Sequence, residues 1–164
     1  MTIGTLTAAD ETRYRAKLMA ALDETPREFF RTRVVDLEAQ LLREPASEDF
    51  SLGAFSVEGE LIGAASLRRE TISTFRHKAL LYRMFVSPQA RESGAGRALL
   101  REIIDRAREV DGLEQINLTV LSGNERAKRL YEWLGFRAFS LEVRAIKAEN
   151  GYFDETQMAL FLRL

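Results

Sequence analysis

Cysteine is absent from the 164 residues, and histidine occurs once, at His77. The first absence removes disulfides, thiolate metal sites and a covalent cysteine nucleophile together. The second leaves too few imidazoles for a protein-built zinc site, so no metal is expected. A large charge of one sign is also missing. With 24 Lys+Arg against 25 Asp+Glu the formal net charge is −1, so there is no bulk field for nucleic acid or anionic lipid, and a small or local partner is expected. No apolar run approaches the roughly 20 residues that span a bilayer, and Met1-Thr2-Ile3-Gly4-Thr5-Leu6 lacks a basic region followed by an apolar core. The expectation is no membrane partner and a cytoplasmic address. Proline is scarce, three in all, at Pro26, Pro45 and Pro88, so long regular elements are permitted between them.

What is present reads as one α/β domain over residues 1–164, since 46% hydrophobic residues suffice for a sizeable core at this length. Ile3 to Leu6 forms a short first strand. Thr7-Ala8-Ala9-Asp10 has capping-box spacing before a helix to about Leu22. Pro26 suits the first turn of a second helix, whose Phe30, Val34, Leu37 and Leu41 recur at helical spacing until Pro45. Phe50–Val57 and Leu61–Leu67 read as strands of a hairpin around Glu58-Gly59-Glu60. Ala79–Val86 is a nearly continuous apolar run, suited to a central strand covered on both faces.

Beyond it, Leu100, Ile103, Ile104 and Ala107 mark one helical stripe ending near Gly112. Ile116–Val120 is the next strand, and Ala127, Leu130, Tyr131 and Leu134 share a face of a helix stopped by Gly135. Phe136–Glu142 and Gln157–Leu162 complete the sheet. The connection from about Arg144 to Glu155 is the least regular part of this half, with a turn at Asn150-Gly151.

The most informative stretch is Arg91-Glu92-Ser93-Gly94-Ala95-Gly96-Arg97-Ala98, between Val86-Ser87-Pro88 and the amphipathic helix. Two glycines one residue apart let the backbone approach a ligand without Cβ interference, and the first helical turn carries N–H groups with no internal partner. Those donors and the positive end of the helix dipole favour an anion such as a pyrophosphate. A Walker loop is excluded, since Arg97 and Ala98, not Lys and Ser/Thr, follow Gly96. A dinucleotide fingerprint would need glycine at Leu99 and an acidic residue on the next strand.

Strand, Val-x-Pro, Arg-x-x-Gly-x-Gly, helix, strand, then Asn124-Glu125-Arg126-Ala127-Lys128-Arg129-Leu130-Tyr131-Glu132-Trp133-Leu134-Gly135-Phe136 resembles the GCN5-related N-acetyltransferase (GNAT) superfamily over essentially the whole chain. The tail from Arg144-Ala145-Ile146-Lys147 to Met158-Ala159-Leu160 is similar to a bacterial subgroup of mostly unassigned substrate. The resemblance implies a three-layer fold with a mixed, twisted sheet of about seven strands and helices on both faces. It implies acetyl-CoA as co-substrate. Main-chain groups of Met84, Phe85 and Val86 would pair with the pantetheine arm like an added strand. The amides from Glu92 to Ala98, across Ser93, Gly94, Ala95, Gly96 and Arg97, would hold the pyrophosphate, with Arg91 and Arg97 as charge partners. Asn124 would contact the cofactor arm, although a helix N-cap is by itself reason enough for Asn there.

For the chemistry, the resemblance points to Tyr131 as the acid that protonates the departing thiolate, and to a main-chain N–H near Val86 for the carbonyl oxyanion. The lack of cysteine fits direct attack by a primary amine, small-molecule or peptide, in a ternary complex. Some members carry a Glu base on the strand before the Asn motif, where this chain has Thr119; Glu70, His77 and Glu142 are the replacements the sequence offers, beside a water chain. That departure keeps open a sensor that binds acetyl-CoA and acts through a protein partner without turnover. By analogy, a homodimer could form through an edge strand or the C-terminal arm.

Overall fold

The computed structural model describes residues 1–24 and 40–163. Seven strands form one sheet in the order β1-β2-β3-β4-β5-β7-β6: β1 Thr2–Leu6, β2 Asp49–Phe55, β3 Leu61–Arg69, β4 Lys78–Val86, β5 Gln115–Leu121, β6 Arg137–Ala148 and β7 Gly151–Phe161. Every pairing is antiparallel except β4 with β5. Among the described residues three α-helices accompany it: α1 Glu11–Glu24, α2 Ala95–Glu109 and α3 Glu125–Trp133. The mixed seven-stranded sheet with helices on both faces is the fold class that the sequence suggested. The second N-terminal helix expected after Pro26 falls largely on residues 25–39, outside those described.

The two sheet faces are legible in which side chains cluster. Ala65, Leu67, Ala79 and Leu81 point to α2, where Leu99, Leu100, Ile103, Ile104 and Ala107 fill the larger core. Each fully buried Leu or Ile of that stripe contributes roughly 1.5–3 kcal/mol. Ala64 and Phe85 point the other way, to Tyr14, Leu18 and Leu22 of α1. Because strand side chains alternate, Ser66, Arg68, Leu80 and Tyr82 lie on that second face too, beyond the reach of the apolar cluster. Glu11 ties the chain back to α1, accepting from the amides of Leu41 at 3.0 Å and Leu42 at 2.8 Å.

Turn and cap chemistry follows the sequence closely. Asp10 accepts from the Thr7 amide at 2.8 Å, the reciprocal half of the expected capping box. Gly112 and Gly135 adopt φ of 68° and 98° just past the ends of α2 and α3, conformations that favour glycine.

The C-terminal half differs from expectation in one respect. The supposedly irregular stretch from Arg144 to Glu155 is a long hairpin, with Ile146, Lys147 and Ala148 paired to Phe153, Tyr152 and Gly151. Its periodicity is obscured because β6 is interrupted by a bulge. Arg144 takes φ of 58° there, its amide donating to Asp154 Oδ1 at 2.7 Å, and a bulge shifts the in–out alternation by one residue. Much of β6 is exposed on both sides, so its pattern records no single buried face.

Candidate active site

A parallel pair that parts company creates the site. β4 and β5 are joined only at Lys78–Leu80 with Gln115–Asn117. Past Leu80, β5 keeps its partner β7 through Leu121, while β4 keeps β3 through Val86, so the two central strands diverge. The divergence leaves the inner edge of β4 without a ladder, which is the local equivalent of a free sheet edge. On its outer edge β4 is irregular too. The pairing skips from Ser66–Tyr82 to Ala64–Phe85, and Arg83 inside the bulge has φ of 51°.

The opening is a cleft of about 1090 Å³, at the upper end of ordinary small-molecule sites and roomy enough for a long ligand. Met84, Phe85 and Val86 line it from β4, and Arg91, Glu92, Ser93, Gly94, Ala95, Gly96 and Arg97 from the loop and first turn of α2. Asn124 and Tyr131 line it from α3, and Thr119 from β5. Of the cofactor-binding and acid candidates singled out in the sequence, Ala98 alone is set back from it.

Hydrogen bonding narrows the proposed anion cradle. The Ser93 amide already donates to Ala90 O at 3.2 Å, the Ala98 amide to Gly94 O at 3.0 Å, and the Ala95 amide to Ser93 Oγ at 3.3 Å. Among the described residues this leaves the amides of Glu92, Gly94, Gly96 and Arg97 without an internal partner, four where the sequence offered seven. Gly94 has φ of 87°, and a Cβ there would meet no atom within 4 Å. It would project into open space at the helix mouth. Gly96 does a different job, since its Cβ would press on Met84 Cε at 3.2 Å and Leu130 Cδ2 at 3.3 Å. It lets α2 close on β4 and α3.

The charged groups at this end are partly engaged. Arg91 pairs with Glu24 of α1. The Arg97 guanidinium lies 4.0 Å from the centre of the half-exposed Trp133 ring, a stacking that holds it at the surface. Arg126, which the sequence reading passed over, lines the cleft beside Asn124. The Asn124 carbonyl accepts from the Ala127 amide at 3.2 Å, so it is an N-cap. Its side-chain NH₂ is not used by that bond.

Tyr131 is buried on the face of α3 toward the cleft, its ring edge-on to Phe136 at 5.8 Å. Burial pushes its phenol well above the ordinary value, so it holds its proton across the whole neutral and mildly alkaline range. None of the three replacement bases is suitably placed. Glu70, His77 and Glu142 are all outside the cleft lining, Glu142 lying exposed on the edge strand β6.

Of the other end of the cleft the sequence offered only Arg68, in a basic neighbourhood with Arg69, Arg76 and Lys78 that reads as solvated or as a contact for an acidic substrate or a CoA phosphate. Arg43, Arg68, Tyr82 and Arg83 line it there, drawn from a loop, β3 and β4. No single segment carries that group, so no motif could announce it; the φ of Arg83 in particular has no sequence signature. Among the described residues, no cluster of His, Cys, Asp or Glu could hold a metal ion, and no helix is long and apolar enough to cross a membrane.

Comparison with known proteins gives the site its context. The sequence model of the Acetyltransferase (GNAT) family matches residues 15–136. The Escherichia coli (strain K12) [ribosomal protein bS18]-alanine N-acetyltransferase is 35% identical over 83 residues, 51% of this chain. The match spans about half (55%) of that curated relative's length. Among solved structures, yncA from Salmonella typhimurium, determined with its cofactor acetyl-CoA, superposes with a TM-score of 0.82 at 25% identity, over 100% of this chain and 95% of that one. A GNAT-family acetyltransferase from Streptococcus pneumoniae, 24% identical over 98% of both chains, shares the fold with a TM-score of 0.82.

Proposed function

Since the chain belongs to the acetyltransferase (GNAT) family, we propose that it moves an acetyl group from acetyl-CoA to a primary amine by direct attack within a ternary complex. The observation that carries this reading is the coincidence of two features in one cleft. An unladdered edge of β4 runs from Leu81 to Val86, and the partnerless amides at the mouth of α2 stand at its end. An extended pantetheine arm with amide groups fits the first and a diphosphate the second. The open space at Gly94 supports the fit of that diphosphate.

Acetyl-CoA supplies a thioester activated toward an amine. The chain supplies the rest. The free amides of Glu92, Gly94, Gly96 and Arg97 bind the diphosphate, with Arg91, Arg97 and Arg126 as charge partners. Inward-facing main-chain groups of Met84–Val86 align the arm, and one N–H near Val86 stabilises the oxyanion. Asn124 offers its side-chain NH₂ to the arm. As the new N–C bond forms and the C–S bond breaks, the nitrogen loses one proton to solvent. Tyr131 gives its proton to the departing sulfur and recovers one from solvent. With its pKa raised by burial, Tyr131 gives up that proton only as charge builds on sulfur, so the transfer is late.

Incubation with acetyl-CoA and a panel of primary amines, followed by free-thiol release, tests the reading. Thiol release that depends on amine is the expected result. Calorimetry showing no heat with acetyl-CoA, or heat without turnover on any amine, would overturn it, the latter in favour of a sensor.

A further inference from the structure

The inner end of the cleft, away from the α2 mouth, is lined by three guanidiniums. Arg68 leaves β3 opposite Leu80 of β4, about 20 Å along an extended strand from Val86. Its guanidinium lies 5.5 Å from the centre of the Tyr82 ring, and that of Arg83 lies 5.4 Å from the same ring. Arg43 is largely exposed (72%) and only loosely paired with Asp49, at 3.8 Å. Arg43, Arg68, Arg83 and Asp49 all act electrostatically on the Tyr82 hydroxyl, so they share one neighbourhood. Three positive charges against one negative remain there among the described residues. Among the described residues, the carboxylates lining the cleft are Glu24 and Glu92, both beside the α2 mouth, and Glu24 is paired with Arg91.

Arg83 is the most constrained of the three. Its backbone sits in the bulge at φ of 51°, and Nη1 donates to Leu41 O at 2.8 Å. Its buried Nε makes no well-formed hydrogen bond among the described residues, and the guanidinium also acts on the buried Tyr14 hydroxyl beneath α1. Leu41 is itself held by Glu11, so the guanidinium is fixed in place.

We infer that this arginine-lined end of the cleft is an anion subsite for the acceptor, which is therefore a small amine carrying a carboxylate or a phosphate. The inference rests on the acetyltransferase reading above. The cluster would repel an acceptor with no negative group, and an anionic handle offsets that repulsion through bidentate contacts that guanidiniums favour. Polyamines, which carry only positive charge, are excluded from this end by the same argument.

Matched pairs of acceptors test this. Initial rates are measured for phenylalanine against phenylalaninamide and phenethylamine, and for glucosamine 6-phosphate against glucosamine, with spermidine as the polycation. In at least one series the anionic member should exceed its neutral partner by about tenfold or more in kcat/KM, the worth of one charge-assisted contact. Which series responds distinguishes carboxylate from phosphate. Arg68→Gln, an exposed position, should abolish most of that preference while leaving the KM for acetyl-CoA near wild type. A neutral amine or spermidine as preferred acceptor, a preference that survives Arg68→Gln, or no acetylation of any anionic amine by protein that binds acetyl-CoA would overturn the inference. Turnover of neutral amines alone would leave the acetyltransferase reading standing, whereas failure to bind acetyl-CoA in calorimetry would remove both.

Discussion

The two ends of the cleft are built in opposite ways. At the α2 mouth one continuous loop, Arg91–Arg97, supplies nearly all the lining, and the candidate binding groups are main-chain amides. At the inner end, side chains from a loop, β3 and β4 converge on Tyr82. Main-chain donors are the same whatever the sequence, so the first end depends on small residues that expose them. Side-chain charge can be exchanged residue by residue, so the second end can be retuned without disturbing the first.

Substitutions should separate the two ends, and the largest effect belongs to neither. Tyr131→Phe removes the proposed acid and is expected to reduce kcat by about a hundredfold or more, with acetyl-CoA affinity unchanged by calorimetry. An unaltered kcat would take Tyr131 out of the mechanism and leave the comparison of ends without its midpoint. Gly94→Val should act on the mouth alone. A β-branched residue at φ of 87° is strained and its side chain enters the cradle, so acetyl-CoA binding should weaken by about tenfold or more. The thermal midpoint should fall as well.

Glu11→Ala attacks the inner end through its support. Losing the acceptor for the Leu41 and Leu42 amides should cost about 1–3 kcal/mol of stability and raise the acceptor KM more than that of acetyl-CoA. In the wild type, burial works to raise the Glu11 pKa, but the Leu41 and Leu42 amides and Arg15 outweigh it, and the net value is below 4.5. A depressed carboxylate pKa contributes stability that is complete above the unfolded value and is lost as pH falls through the folded one. The stability of Glu11→Ala should therefore depend less steeply on pH below about 4.5 than that of the wild type. The smallest effect is a predicted constancy. Because burial keeps Tyr131 protonated beyond the ordinary phenol range, kcat should show no falling limb between about pH 7 and 10. A decline centred near pH 8–9 that vanishes in Tyr131→Phe would contradict the buried phenol.

Most strands and all three described helices were legible because their signals are local. Apolar periodicity marks α2, glycines mark its end and that of α3, and Thr7 with Asp10 marks the start of α1. The hairpin of β6 and β7 was underestimated because the bulge at Arg144 breaks the alternation on which strand recognition depends. The cofactor end of the site was legible for the same reason as α2, being contiguous, though its seven candidate amides reduce to four once Ser93, Ala95 and Ala98 are seen to be engaged. Glu70, His77 and Glu142 stood out in the sequence by chemistry alone, which carries no information about distance.

By itself the sequence determined the fold class, the glycine-opened helix and the stretch that forms its mouth, since these follow from residue type and near-neighbour spacing. Only the tertiary structure decided where β4 parts from β5, which amides stay unpaired, and that Arg43, Arg68 and Arg83 face one tyrosine. The reason is physical. Helical periods and turn conformations are set by steric and hydrogen-bond terms within a few residues, whereas divergence of strands and convergence of charge depend on register between segments far apart in the chain.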